Sequence, residues 1–317
     1  MTTLSLITPS GRLTLGNLLG ALRPMAAAAG PSSYFGVADL HALTTPHSPG
    51  ALRERVAEMR TLLLAAGCDG ATVFVQSAVP AHRSLAYLLE CVATSGELGR
   101  MIQFKQKGVP GSRASLFTYP TLMAADILLY RAAEVPVGDD QRQHVELARD
   151  LALRFNRAYG EVFVVPRAVH PPAGARVMDL LTPTRKMSKS AGDEHAGSIF
   201  LLDPPDVVRR KVMRAVTDSD VGADAVRADA AAKPGVTNLL DILVACGGSA
   251  EGLSTYGALK KAVVDAVVAQ LEPLQKRYRD LAADPDQVSA VYEAGAARCR
   301  EVTAPVLAAA EAALGLG

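Results

Sequence analysis

Short β-branched runs alternate with amphipathic stretches through the first half of the chain. Leu4-Ser5-Leu6-Ile7, Tyr34-Phe35-Gly36-Val37-Ala38 and Thr72-Val73-Phe74-Val75-Gln76 read as short buried strands. Between the last two, Ser48-Pro49 opens a helix whose apolar face carries Leu52, Val56, Met59 and Leu63 and which stops at Gly67. Val135-Pro136-Val137 predicts a further strand, handing over at Gly138 to a helix from about Gln141 to Phe155, and Val162-Phe163-Val164-Val165 predicts a later strand. Strands separated by helices pair in parallel, so the expected fold is α/β with a doubly wound, Rossmann-type parallel sheet. From about Pro204 the strand signals stop. Helical patterns punctuated by Lys233-Pro234-Gly235, Gly247-Gly248 and Asp284-Pro285 follow, which predicts a first domain over residues 1–195 and an all-helical second domain over 196–317.

Composition narrows this picture. With 317 residues and 49% hydrophobic content the chain can bury two cores. Lys+Arg and Asp+Glu nearly cancel, 33 against 32, which excludes an indiscriminate polycation and confines any RNA contact to a local patch. Cys68, Cys91, Cys246 and Cys299 are scattered, with no Cys-x-x-Cys, so neither a metal centre nor a disulfide framework is expected. With no basic leader and no bilayer-length apolar run, a cytoplasmic protein is expected.

Candidate chemistry gathers at the carboxyl ends of the predicted strands, where ligands of such sheets bind. Leu4–Ile7 leads through the turn Thr8-Pro9-Ser10-Gly11 into a helix starting at Thr14-Leu15-Gly16-Asn17 and running towards Met25. Strand, tight turn and helix N-terminus make a phosphate site. Lys186-Met187-Ser188-Lys189-Ser190 sets two ammonium groups three residues apart, a pattern suited to a mobile phosphate clamp and equally to a solvated basic loop. Lys107, in Gln103-Phe104-Lys105-Gln106-Lys107, is a third cation or a solvated helix end. Asp126 stands in the apolar run Met123-Ala124-Ala125-Asp126-Ile127-Leu128-Leu129, where a carboxylate is costly unless a neighbour or a ligand donates to it. His41, after the second strand, is either a structural hydrogen-bonding residue or part of a site. Asp139 or Asp140 is either a helix cap or a ligand for hydroxyl or ammonium groups.

Together these segments resemble the paired signatures of class I aminoacyl-tRNA synthetases, and Thr-Leu-Gly-Asn is the variant of the first box seen in the tryptophanyl group. The likeness continues through Asp39-Leu40-His41-Ala42-Leu43-Thr44, Gly96–Met101, Tyr119–Asp126, Pro136–His144, Ala215-Val216-Thr217-Asp218-Ser219 and Lys233-Pro234-Gly235-Val236-Thr237-Asn238-Leu239-Leu240. The resemblance implies ATP-dependent ligation of L-tryptophan to tRNA(Trp) through an adenylate, with Mg²⁺ arriving on ATP, in a homodimer. On that likeness Lys186, Ser188, Lys189, Ser190 and Lys107 act on the phosphates. Thr8, Ser10, Thr14, Gly16, Asn17, Gly138, Asp140, Val177 and Met187 hold ATP. Leu4, Leu6, His41, Tyr119, Met123, Val135, Val137 and Gln141 surround the indole, and Asp126 accepts its N–H.

Leu6, Thr8 and Leu40 depart from the Gly, Gln and Gln of most bacterial relatives, which implies a drier wall near the substrate's polar end. Ala81–Met101 is a candidate dimer interface or a core segment. Arg209, Arg210, Lys211 and Arg214, or Lys260, Lys261, Lys276, Arg277 and Arg279, are candidate tRNA contacts or solvated faces. A tyrosyl-tRNA synthetase and a regulatory paralogue that does not charge tRNA are the alternatives. Leu4 or Leu6 stands where a tyrosyl enzyme carries a Tyr, and the intact lysine loop argues against lost chemistry.

Overall fold

The computed structural model describes residues 2–169, 176–189, 192, 194–222 and 224–316, and of Asp139 and Asp140 the backbone alone. β1 (Thr3–Ile7), β2 (Ser33–Val37) and β3 (Thr72–Val75) form a parallel sheet in that order, with Leu4 opposite Tyr34 and Phe35 opposite Val73. Successive strand residues point to opposite faces. Ile7, Phe35, Val37 and Val73 enter one apolar cluster, and Leu4, Tyr34 and Phe74 enter the other. The sheet is thus covered on both sides, as a doubly wound arrangement requires.

After β1 the chain is helical over α1 (Leu15–Asn17) and α2 (Arg23–Ala27), joined by a π turn at Leu18–Leu22. Pro24 accounts for the turn, since it has no N–H to donate and its ring crowds the carbonyl four residues back. α3 (Asp39–Ala42) leaves β2 directly. α4 (Pro49–Ala65) then returns to β3, capped by the Ser48 hydroxyl, which accepts from the Ala51 N–H, and ended by Gly67 at φ +93°.

β3 is followed by α5 (Ala81–Glu90), α6 (Ser95–Gly99), α7 (Ile102–Lys107) and α8 (Ala114–Leu129). Next come β4 (Glu134–Pro136), α9 (Asp139–Tyr159) and β5 (Arg167–Val169), and β4 and β5 pair in parallel. The strand predicted at Val162–Val165 does not form. The Asn156 side chain accepts from the N–H groups of Val162 (3.1 Å) and Phe163 (3.0 Å) and donates to the Phe163 carbonyl (2.8 Å). Phe163 also packs edge-on against Phe155, so this segment is hooked to the end of α9 and β5 starts further on. β4 lies beside β1 without a hydrogen-bonded ladder. Strand order reverses across that gap, which makes it the topological switch point where ligands of open α/β sheets bind.

No strand follows Val169 among the described residues. α10 (Pro205–Met213), α11 (Pro234–Ala245) and α12 (Tyr256–Ala282) share the first apolar cluster with α4. α13 (Pro285–Ala313) turns back to lie on β3 and α5, and none of the described helices is long and apolar enough to cross a membrane. At Gly295 the α13 backbone sits so close to β3 that a Cβ would fall 1.8 Å from the Val73 carbonyl oxygen. Gly295→Ala must push α13 off the sheet and should lower stability by ~1–3 kcal/mol or more in urea unfolding. Gly257→Ala, where a Cβ meets nothing within 4 Å, should leave stability unchanged or slightly higher.

Candidate functional site

The gap between β1 and β4 opens into a cavity of about 620 Å³. β1 and the turn after it contribute Leu4, Leu6, Thr8 and Ser10. β4 and the start of α9 contribute Val135, Val137, Gly138 and Gln141, and α8 contributes Tyr119, Met123 and Asp126. His41, Asn17, Lys107 and Lys189 complete the predicted residues that it brings together, and Thr44, Thr45 and Gln103 join them without having been foreseen. Leu40 is not on the cavity wall, so of the three departures only Leu6 and Thr8 face a ligand there.

Asp126 is 3% exposed and accepts three hydrogen bonds. Gln76 Nε2 (2.8 Å) and His82 Nδ1 (2.6 Å) donate to Oδ1, and His41 Nε2 (2.8 Å) donates to Oδ2. Burial pushes the carboxyl up, but the bonds from His41 and His82 outweigh it and hold it at about 2. An ionised carboxylate only accepts, so each facing ring nitrogen carries the proton. Tyr119 shares a 2.5 Å hydrogen bond with His144 Nε2, and burial raises its phenol to about 12.

Lys189, also on the cavity wall, donates from Nζ to the Thr8 carbonyl (2.5 Å), and burial lowers its amine to about 8. Lys186 is exposed and off the cavity. Its backbone pairs antiparallel with Met178 in a hairpin closed by the bonds Asp179 N–H to Arg185 O (2.8 Å) and Met187 N–H to Val177 O (3.0 Å). Ser188, half-buried, is also off the cavity. Val177 and Met187 belong to the apolar core rather than to the cavity wall, and they abut Gly16, where a Cβ would lie 3.6 Å from Val177 Cβ and from the Met187 carbonyl. Thr14 is fully buried, with its N–H and hydroxyl both turned to Asn17 Oδ1 (3.0 and 3.1 Å), which closes the helix start and takes Thr14 off the wall. Ser190 and the Asp140 side chain lie outside the described residues.

Comparison with known proteins bears on this arrangement. The family described as tRNA synthetases class I (W and Y) matches residues 1–279. Tryptophan--tRNA ligase 1 of Streptomyces avermitilis is 54% identical, over 98% of this chain and 97% of that protein. The chain belongs to the class I tRNA synthetases for tryptophan and tyrosine. The crystal structure of tryptophanyl-tRNA synthetase from Mycoplasma pneumoniae superposes with a TM-score of 0.86 at 35% identity, covering 100% of this chain and 98% of that one. That of the Campylobacter jejuni enzyme complexed with ADP and tryptophan gives 0.85 at 29% identity and full coverage of both chains.

Within this synthetase three residues take parts that the sequence did not assign. Gln76 directly follows β3 at the carboxyl side of the sheet, a position where a polar residue is a readable signal, whereas His82 sits on an amphipathic helix and carries none. Asn238 of α11 accepts from the Met178 N–H (2.8 Å) and donates to the Met178 carbonyl (2.9 Å), while the Val216 N–H bonds to Leu180 O (2.9 Å). The lysine hairpin is therefore bolted to the helical region. Asp218 and Lys233, from two of the recognised segments, bond to each other (2.8 Å) and to Tyr256 rather than facing the cavity.

Of the basic side chains, Lys211 pairs with Asp203 (2.7 Å), Lys260 caps α10 through the Met213 and Ala215 carbonyls, and Arg277 pairs with Asp69 (2.6 Å). Arg209, Arg214, Lys261, Lys276 and Arg279 are exposed, and Arg210, also exposed, pairs with Asp206 (3.8 Å). Along α5 the apolar stripe packs on α8, and Tyr87 is its exposed aromatic residue at 65%.

Because Lys189 titrates near 8 before phosphate arrives, and an adjacent anion favours its charged form, ATP binding should take up a proton just above pH 8 and none near pH 7. ATP affinity should fall as pH rises through that range. Calorimetry in buffers of different ionisation enthalpy checks this, and in Lys189→Met the uptake should be absent.

Proposed function

We propose that the chain joins L-tryptophan to tRNA(Trp) at the expense of ATP. The observation that carries this is the Asp126 carboxylate, ionised and buried in the wall of a cavity that also presents the apolar Leu4, Leu6, Met123, Val135 and Val137 and the cations Lys107 and Lys189. An indole presents a single N–H donor that loses water on burial, and Asp126 is the acceptor placed for it. Met123, Leu4, Leu6, Val135 and Val137 take up the ring's apolar faces, and Tyr119 and Gln141 bound the side nearer the amino-acid backbone.

In the first step an oxygen of the tryptophan carboxylate attacks the α-phosphorus of ATP. The bond to the leaving pyrophosphate breaks as the acyl–phosphate bond forms. The chain's work is alignment and charge stabilisation rather than covalent catalysis. Lys189 and Lys107, already on the cavity wall, with Lys186 brought in by loop movement, meet the negative charge on the departing phosphates, and the Ser188 and Ser190 hydroxyls donate to them. Asn17, Gly138, Thr8 and Ser10 on the cavity wall, with Asp140, frame the nucleotide, and Gly16, Thr14, Val177 and Met187 support it from the layer beneath. Mg²⁺ would be carried on ATP's own phosphates. In the second step a terminal ribose hydroxyl of the tRNA takes the acyl group and AMP leaves.

Residues 1–195 serve as the catalytic domain of this reading and 196–317 as the anticodon-binding domain, with Arg209, Arg214, Lys261, Lys276 and Arg279 as its exposed cations. A homodimer and a cytoplasmic location belong to the same reading.

ATP–pyrophosphate exchange with each of the twenty amino acids tests it: exchange should saturate with tryptophan far below tyrosine, and equal saturation by both would overturn it. Asp126→Asn should lower kcat/KM for tryptophan by ~2–4 kcal/mol with the KM for ATP unchanged, since an amide donor then opposes the indole N–H. Asparagine is preferable to alanine, which would also strand the donors of Gln76 and His82.

A further inference from the structure

The three donors to Asp126 are not equivalent. His41 lines the cavity and bonds Oδ2, whereas Gln76 and His82 are fully buried, do not line the cavity, and bond Oδ1 from behind. Oδ1 is thereby committed to the protein, and Oδ2 is the oxygen left with a lone pair towards the cavity. His82 has the stronger hold of the two. Its ring lies stacked on Phe74 at 5.7 Å and 19°, and its Nε2 meets the Tyr130 hydroxyl at 3.1 Å. Burial keeps that phenol neutral, with the Cys299 thiol of α13 as its next partner. Gln76, by contrast, leaves its carbonyl oxygen buried without a partner among the described residues. The imidazole is clamped at both nitrogens and on one face, so it fixes the rotation of the carboxylate it bonds.

We propose that His82 is a specificity-determining positioning residue for tryptophan: by holding Oδ1 it aims Oδ2 at the indole N–H without touching the substrate. The inference rests on Asp126 being the indole acceptor.

The test is kcat/KM in ATP–pyrophosphate exchange for tryptophan and for 3-(benzothiophen-3-yl)alanine, which keeps the bicyclic shape but has sulfur in place of the N–H. The wild type should prefer tryptophan by about 100-fold or more, the scale on which a site built to hydrogen-bond rejects an analogue lacking the group. In His82→Leu that ratio should fall about tenfold, chiefly through the KM for tryptophan, with the analogue nearly unaffected. His82→Asn, which keeps a donor close to the Nδ1 position, should restore it to within about threefold. If the leucine variant does not fold, His82→Gln, whose donor sits near the Nε2 position instead, is read in its place with the same loss expected. Equal losses for both substrates, or an unchanged ratio, would make His82 merely structural and overturn the proposal. A wild type without preference would instead remove Asp126 as the acceptor and the proposed substrate contact with it.

Discussion

An ionised carboxylate out of water is the group on which the rest of this site depends. Asp126 can stay charged at 3% exposure only because three donors replace its hydration. Those donors come from the end of β3, from α5 and from α3, so one charge ties the carboxyl edge of the sheet to α8. The arrangement is not the most stable way to fill the space, since a well-packed apolar residue of similar volume often does as well or better. It also leaves the Gln76 carbonyl oxygen without a partner among the described residues, a burden of about 1–3 kcal/mol by itself. Such a cost is tolerable where the charge is needed for recognition.

The lysine hairpin is held between two anchors of different character. At one end Asn238 takes both backbone groups of Met178, and at the other Lys189 reaches the Thr8 carbonyl at the tip of β1. Parting α11 from the hairpin would cost both Met178 backbone bonds, at about 0.5–1.5 kcal/mol each. The bond to Thr8 joins a cation to an uncharged carbonyl, so a phosphate, which brings opposite charge, can replace it. Met178 thus links the hairpin to α11, and Lys189 links it to β1.

Much of this was legible in the chain because local chemistry and tertiary packing agree. Ser48, Pro49 and Gly67 mark α4 at both ends, and the strand pattern of Tyr34–Ala38 survives as the fully buried β2. Val162–Val165 misled because its β-branched run is decided by a side chain six residues away, Asn156, which no periodicity reveals. The same holds at the site. Fifteen residues named from motifs share one cavity, since most of them stand at or just beyond strand ends that a parallel sheet brings together, and α8 closes over them. Thr14, Gly16, Val177 and Met187 form a layer beneath that cavity because Thr14 satisfies Asn17 and Gly16 packs on the hairpin. His82 was invisible for the opposite reason: its helix is amphipathic with or without it, and only the partners across the chain give it a role.

Three lysines with little exposure show how surroundings divide one side chain among tasks. Lys233 bonds Asp218 (2.8 Å) and Asp220 (2.6 Å), and these carboxylates and Tyr256 overcome its desolvation and raise its pKa. Lys211 bonds Asp203 (2.7 Å) and the Ser198 carbonyl. Both are neutralised where they stand, so neither has charge to offer a ligand. Among the described residues no carboxylate bridges Lys189, whose partner is the uncharged Thr8 carbonyl, and burial lowers its amine to about 8. A cation left without a counter-ion at the edge of a cavity gains most when an anion arrives, because the anion removes the penalty that desolvation imposed. Lys189 is therefore the lysine of the three whose interaction strengthens as negative charge builds on a departing pyrophosphate, and its neutral partner in the free protein is what leaves that capacity unspent.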